Sequence, residues 1–282
     1  MLTGLKVYSP RTSAPVLPIG IGDANTDRVQ IRGIEGLGPV KANINTTQFG
    51  SFDGELYSGS SVGKRNIVLT LGLNPDWATQ SMADLRNTLY AYFMPKLWVR
   101  LRFTSDHMPD VQIDGYIESF EPNMFSKDPE IQISIICPKP NFVAVTSTTV
   151  TGTVEVDPAT GVTINYAGTV ATGGILTISS SAGTPSYTGY IRVRNFGLAE
   201  EKFSITPVTI DTTPKQFVLN TRQGSKSVRL MSGNTVVSNL LTSVTGIMAW
   251  PTLKPGLNNF SVVGSSAGQT WSLVYYAQYG GL

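Results

Sequence analysis

The 282-residue chain contains a single cysteine and a single histidine, and only 14% of its residues are charged. One cysteine excludes an intramolecular disulfide and a thiolate metal cluster. Cys137 sits in the apolar run IQISIIC and reads as a small buried hydrophobe. Any Ser–His pair or two-histidine metal site would have to be built on His107 alone. That residue falls in SDHMPD, with Asp106 and Asp110 beside it, and reads as part of a solvated turn. No G-x-S-x-G nucleophile elbow occurs. The charged fraction lies below the roughly 25% of an average soluble protein. With a net charge of +2 and no dense basic face in either half, no electrostatic case for nucleic acid exists. No apolar run approaches the ~20 residues needed to cross a bilayer. The opening MLTGLKVYSP has no basic segment ahead of an apolar one, so no signal peptide is expected and folding in a cytoplasm is.

What the chain does have is 28 glycines, 17 prolines and many short alternating runs, the composition of strands joined by turns. Low charge also suits a protein whose surface is covered by neighbours. Residues 1–142 read as an α+β unit, a β-sandwich carrying one helix. Val29–Ile34, Asn66–Leu73, Leu97–Phe103, Val111–Ser119 and Glu130–Ile136 each alternate as half-buried strands do. Asn74-Pro75 reads as N-cap and first helical residue, with Asp76 in the first turn, which predicts a helix over about 75–94. Met82, Leu85, Leu89 and Tyr92 or Phe93 give it one apolar stripe, and Pro95 stops it. The prolines of CPKPNFV mark the boundary. Residues 143–282 are rich in Thr, Ser, Val and Gly without helical periodicity. Turn signals at Asp157-Pro158, Gly173-Gly174, Gly183 to Pro185, Gly224, Gly233-Asn234 and Pro255-Gly256 predict an antiparallel β-sandwich.

The motifs that suggest chemistry are weak. Gly33, Gly36 and Gly38 have the wrong spacing for a dinucleotide fingerprint and read as a turn. Ser61-Val62-Gly63-Lys64-Arg65 ends like a phosphate loop, but Ser58 replaces its first glycine and Arg65 its final Ser/Thr. Carboxylate pairs at Glu118/Glu121, Asp110/Asp114 and Glu200/Glu201 are the candidates for glycoside hydrolysis, and nothing in the sequence places any of them in a cleft. Trp250 and Trp271 could stack on sugars, but both adjoin apolar strand residues and fit core packing better. Trp77 has the choice of packing on the sheet or on a neighbouring subunit. Asn45-Thr46-Thr47 and Asn259-Phe260-Ser261 match the glycosylation pattern, which is idle without export.

GKRNIVLTL (Gly63–Leu71), the helix after it and SKDPEIQISIICPKPNF resemble the N-terminal domain of distal tail proteins of long-tailed bacteriophages. The second half is similar to that family's galectin-like sandwich. The shared features are Tyr166-x-Gly168, the turn Leu219-Asn220-Thr221-Arg222-Gln223-Gly224, Trp250 ahead of LKPGLNNFSV, and a terminal WSLVYY strand. The resemblance implies a mainly β fold and a homohexameric ring, made by the N-terminal domains, in the virion. Such a ring joins the tail-tube protein to the tip hub or baseplate and has receptor-binding proteins on its periphery. It implies no reaction and no cofactor. The alternative is a carbohydrate-binding module that attaches to host-surface glycans through Trp250 or Trp271 of the C-terminal sandwich.

Overall fold

The structure is a computed structural model that describes residues 2–10, 17–19, 28–50, 53–76, 78–123, 129–156, 160–179, 186–195, 201–209, 215–245, 250–264 and 269–282. Two compact units are present: Met1–Val145 together with Tyr279–Leu282, and Thr146–Gln278. The predicted turns at Asp157-Pro158 and Gly183 to Pro185, along with Trp77 and Glu200, lie outside the described residues, as does the side chain of Glu201.

In the first unit the strands are β1 (Leu2–Tyr8), β2 (Leu17–Ile19), β3 (Val29–Glu35), β4 (Ala42–Gln48), β5 (Glu55–Val62) and β6 (Arg65–Leu73). After helix α1 (Met82–Phe93) come β7 (Trp98–Ser105), β8 (Val111–Pro122), β9 (Glu130–Cys137) and β10 (Phe142–Ala144). One nine-stranded sheet holds the order β2-β1-β7-β8-β9-β6-β3, with β10 added against β8. The period-2 pattern of the sequence sets which side chains turn inward. Ile67, Leu69 and Leu71 of β6, Val99 and Leu101 of β7, and Ile133 and Ile135 of β9 have no exposed surface. The helix adds Leu85, Leu89, Tyr92 and Phe93 to the buried set, and Tyr90 meets Phe120 with ring centroids 5.0 Å apart.

The helix does not begin at Asn74. The Asn74 N–H donates to the carbonyl of Arg28 at 2.9 Å, continuing the β3–β6 pairing. Asp76 closes a turn of its own, accepting from the Ala78 N–H at 3.2 Å and the Thr79 hydroxyl at 2.8 Å. That local side-chain turn competes with helix nucleation and wins. The true N-cap is Ser81: its hydroxyl accepts from the Asp84 N–H at 3.2 Å, and the Asp84 carboxylate accepts from the Ser81 N–H at 3.1 Å. This is a capping box with aspartate at its third position. The stop is as expected, with Met94 extended ahead of Pro95.

The second unit has β11 (Thr148–Thr153), β12 (Val162–Tyr166), β13 (Gly174–Ser179), β14 (Ser186–Asn195) and β15 (Glu201–Thr209). These are followed by β16 (Lys215–Asn220), β17 (Ser227–Ser232), β18 (Thr235–Asn239), β19 (Val244–Thr245), β20 (Gly256–Gly264) and β21 (Thr270–Tyr275). A six-stranded sheet, β11-β21-β13-β16-β17-β18, and a five-stranded one, β12-β20-β14-β15-β19, contribute to one core. Every named strand pairing in the unit is antiparallel. The mainly β fold class is therefore what the chain adopts, with one α-helix, in the first half, among the described residues. The last strand, β22 (Gln278–Tyr279), pairs with β10, and residues Tyr279–Leu282 count with the first unit.

Candidate assembly surface

Strands β3 and β6 are antiparallel neighbours, with Glu35 opposite Val68. Between them the chain leaves the sheet and forms β4 and β5, a two-stranded ribbon of its own. Among the described residues neither strand pairs with anything but the other, and every residue of β4 is exposed. Seven paired residues at about 3.4 Å each give an arm that reaches roughly 20 Å.

The arm is two-faced. Register partners in an antiparallel pair share a face, and Ala42 lies opposite Val62, Ile44 opposite Ser60 and Thr46 opposite Tyr57. The register shift beside Gly59, whose φ is 153°, keeps Tyr57 on the side of Ile44 and Val62. One face thus carries Ala42, Ile44, Tyr57 and Val62, with Thr46 and Ser60 among them. The other carries Asn43, Asn45, Thr47 and Ser61, where the Thr47 and Ser58 hydroxyls bond at 2.8 Å, and one apolar residue, Leu56, opposite Thr47. Ile44 is 65% exposed, Tyr57 61% and Val62 53%, with Leu56 and Phe49 also open. Four large apolar side chains open on one short ribbon, with Phe49 just past the end of β4, exceed the scattered singles normal for a monomer.

A buried cation anchors the stem. Arg65, the first residue of β6, is 2% exposed. Its Nε donates to the Pro140 carbonyl at 2.6 Å, Nη1 to those of Gly36 and Gly38, the latter at 2.6 Å, and Nη2 to that of Gly280 at 2.5 Å. Its guanidinium also lies 4.5 Å from the centroid of the Phe142 ring. The supposed phosphate-loop ending is therefore the outgoing stem of the arm, and Arg65 faces carbonyls.

The other residues singled out in the sequence do not converge. Asp114 is held by Arg100 at 2.6 and 3.0 Å, and Asp110 by Arg102 at 2.6 and 3.1 Å. Each carboxylate is committed to its own arginine on β7, which is a cross-strand ion pair and not an acid–base couple. Glu118 accepts from the Ser134 hydroxyl at 2.7 Å, and Glu121 is exposed. His107 is exposed at the rim of an apolar cavity of about 270 Å³ lined by Leu2, Phe103, Met108, Val111 and Leu282. Among the described residues no group of three His, Cys, Asp or Glu side chains could hold a metal ion. No described helix is long and apolar enough to cross a membrane.

Both tryptophans pack. Trp271 is 3% exposed, donates from Nε1 to the Thr153 carbonyl at 3.0 Å, and meets Phe260 at 5.2 Å between centroids. Gly152, its register partner, leaves room for the ring, since a Cβ there would stand 2.5 Å from Trp271 Cζ2. Trp250 is half-buried, tilted on Phe203 at 5.2 Å with the Lys226 ammonium 5.4 Å from its centroid.

Sequence reasoning missed both the arm and Arg65. The signal for the arm was the alternation of Ala42, Ile44 and Thr46 against Asn43, Asn45 and Thr47. For Arg65 the signal was a lone charge opening the apolar strand RNIVLTL.

Comparison with known proteins agrees with the resemblance read from the sequence. Residues 24–137 match the family model described as phage tail protein RIFT-related domain. The fold is similar to the crystal structure of the SPP1 Dit (gp 19.1) protein, a paradigm of the hub adsorption apparatus in phages infecting Gram-positive bacteria. That match has a TM-score of 0.64 and 14% identity, over 97% of this chain and 98% of that one. A chain of the phage P2 baseplate in its activated conformation with calcium aligns at a TM-score of 0.43 and 12% identity, covering 98% of each chain. None of the curated protein sequences matches.

Proposed function

We propose that this chain, whose residues 24–137 carry a phage tail protein domain on a fold shared with SPP1 Dit, is a structural subunit of a phage tail tip that works by assembling with itself. Six copies close into a ring through heterologous contacts of the first unit. The ring joins the tail-tube protein on one side to the hub or baseplate on the other and offers its periphery to receptor-binding proteins. The subunit is made in the host cytoplasm and ends in the virion, and it carries out no reaction.

The observation that carries this reading is the arm. An isolated two-stranded ribbon is at best marginally stable in water, and this one shows an apolar face with two unpaired edges. Neighbouring copies supply what is missing: backbone partners along the edges and cover for Ile44, Tyr57 and Val62. Aligning six arms around an axis satisfies every arm in the same way, which an open dimer does not. Of the two rings offered for the glycan-binding alternative, Trp271 is 3% exposed and Trp250 half-buried.

The test is size-exclusion chromatography with light scattering on the protein and on an Ile44→Asp/Tyr57→Asp variant. Both positions are exposed, so the subunit keeps its fold. The native protein is expected to run as a ring-sized species and the variant as a monomer. Equal masses for the two would remove the arm from the interface.

A further inference from the structure

Arg65 stands where three otherwise separate stretches of the first unit meet. Gly36 and Gly38 lead into the arm, Arg65 opens β6 with two residues between it and the arm's outgoing strand, and Pro140 and Gly280 belong to the segments flanking β10 and β22. Among the described residues no carboxylate pairs with this buried charge. Four carbonyl dipoles and the face of Phe142 take that place. A buried cation so placed tolerates little displacement, since each lost acceptor leaves both the charge and a carbonyl unsatisfied.

The surroundings are cut to this arrangement. Gly36 has a φ of +83°, and a Cβ there would fall 2.0 Å from the Asn66 carbonyl oxygen. A Cβ on Gly281 would stand 2.9 Å from the ring of Pro39, and the Leu282 N–H donates to the Leu37 carbonyl at 3.0 Å. Residues 280–282 thus lie flat on the incoming stem of the arm, and the guanidinium locks them there.

From this geometry we infer that Arg65 is the positioning residue of the arm, a latch that fixes its direction before a second copy arrives. Arginine is required because its planar fork presents five donors, of which four are used here toward three separate segments outside the strands. Lysine has three donors on one point and cannot span the same carbonyls. A preset arm lowers the conformational entropy that ring closure would otherwise cost. The purpose of the latch rests on the assembly reading above, but its existence does not.

Spin labels at Asn45→Cys on the arm and Gln132→Cys on β9, both exposed positions, let double electron–electron resonance read the arm's direction in dilute protein. One narrow distance peak is expected with Arg65. Arg65→Lys is expected to lose that peak to a broad distribution while the thermal transition of the second unit is kept. Gly281→Val, which forces the terminal segment off Pro39 with Arg65 intact, is expected to broaden it in the same way and serves if the lysine variant does not fold. A broad peak in the native protein, or a narrow one retained in Arg65→Lys or in Gly281→Val, overturns the latch. A narrow peak lost in both variants, from a protein that never forms rings, supports the latch and overturns the assembly reading instead.

Discussion

Cys137 has no exposed surface, and burial pushes its thiol from the ordinary 9.0 up to about 12, against the opposing charge of Arg65 and with a smaller push from Asp114. In the unfolded chain the thiol ionises near its ordinary value, while the folded chain keeps the proton. Stability is therefore complete below about pH 9 and falls as pH rises toward 12, by roughly 1.4 kcal/mol per pH unit. Tyr187, 1% exposed with its hydroxyl donating to the Val263 carbonyl at 3.0 Å, is raised by burial too and adds to the fall at higher pH. Urea unfolding at pH 8, 9 and 10 should show the decline, and Cys137→Ala should flatten its first part. Parallel curves for the two proteins would contradict the burial account. Trp271 gives a second check at this scale: Trp271→Ala should cost about 3–5 kcal/mol, as large core truncations do. A stable Trp271→Ala protein that had lost only glycan binding would reverse the assignment of that ring to the core.

Among the elements, the strands were legible because each has one buried face. VQIRGI, NIVLTLGL and EIQISII alternate in sequence, and the structure places their strands within a residue or two of the expected bounds. The helix was legible in its stripe and its stop but not in its start, where two capping signals compete. Asn74-Pro75 has the residue types of an N-cap, yet Ser81 with Asp84 forms the reciprocal bonds. Ser81→Ala should therefore cost about 1 kcal/mol in stability, while Asn74→Ala should leave helix content unchanged by circular dichroism. A larger loss from Asn74→Ala would return the cap to the earlier position. The arm escaped notice for a physical reason. Period-2 alternation reports burial against the same chain, and among the described residues nothing covers the arm's apolar face. On its other face Asn43, Asn45 and Thr47 read locally as loop. Arg65 was hidden similarly, since a sequence shows a charge but not the four carbonyls that the topology gathers around it.

At the scale of the whole molecule, the chain divides into Met1–Val145 with Tyr279–Leu282 and Thr146–Gln278; the sequence displays a change of composition near residue 140 but not the return of Tyr279–Leu282 to the first unit. The last residues carry no pattern of their own, and their place is set by pairing with β10 and by the Leu37 carbonyl. The resemblance pointed to a phage tail protein, as the family match and the similar fold bear out; the residues proposed to carry assembly came only with the structure. If the arm meets other copies, as proposed, its energetics belong to the assembly. Stability should then depend on protein concentration, with the melting temperature rising on going from dilute to concentrated samples. A melting temperature independent of concentration would speak against self-association. The most direct measurement is native mass spectrometry of the purified protein with negative-stain imaging of the same sample. The account predicts six copies in a closed ring; a monomer at every concentration tested would contradict it.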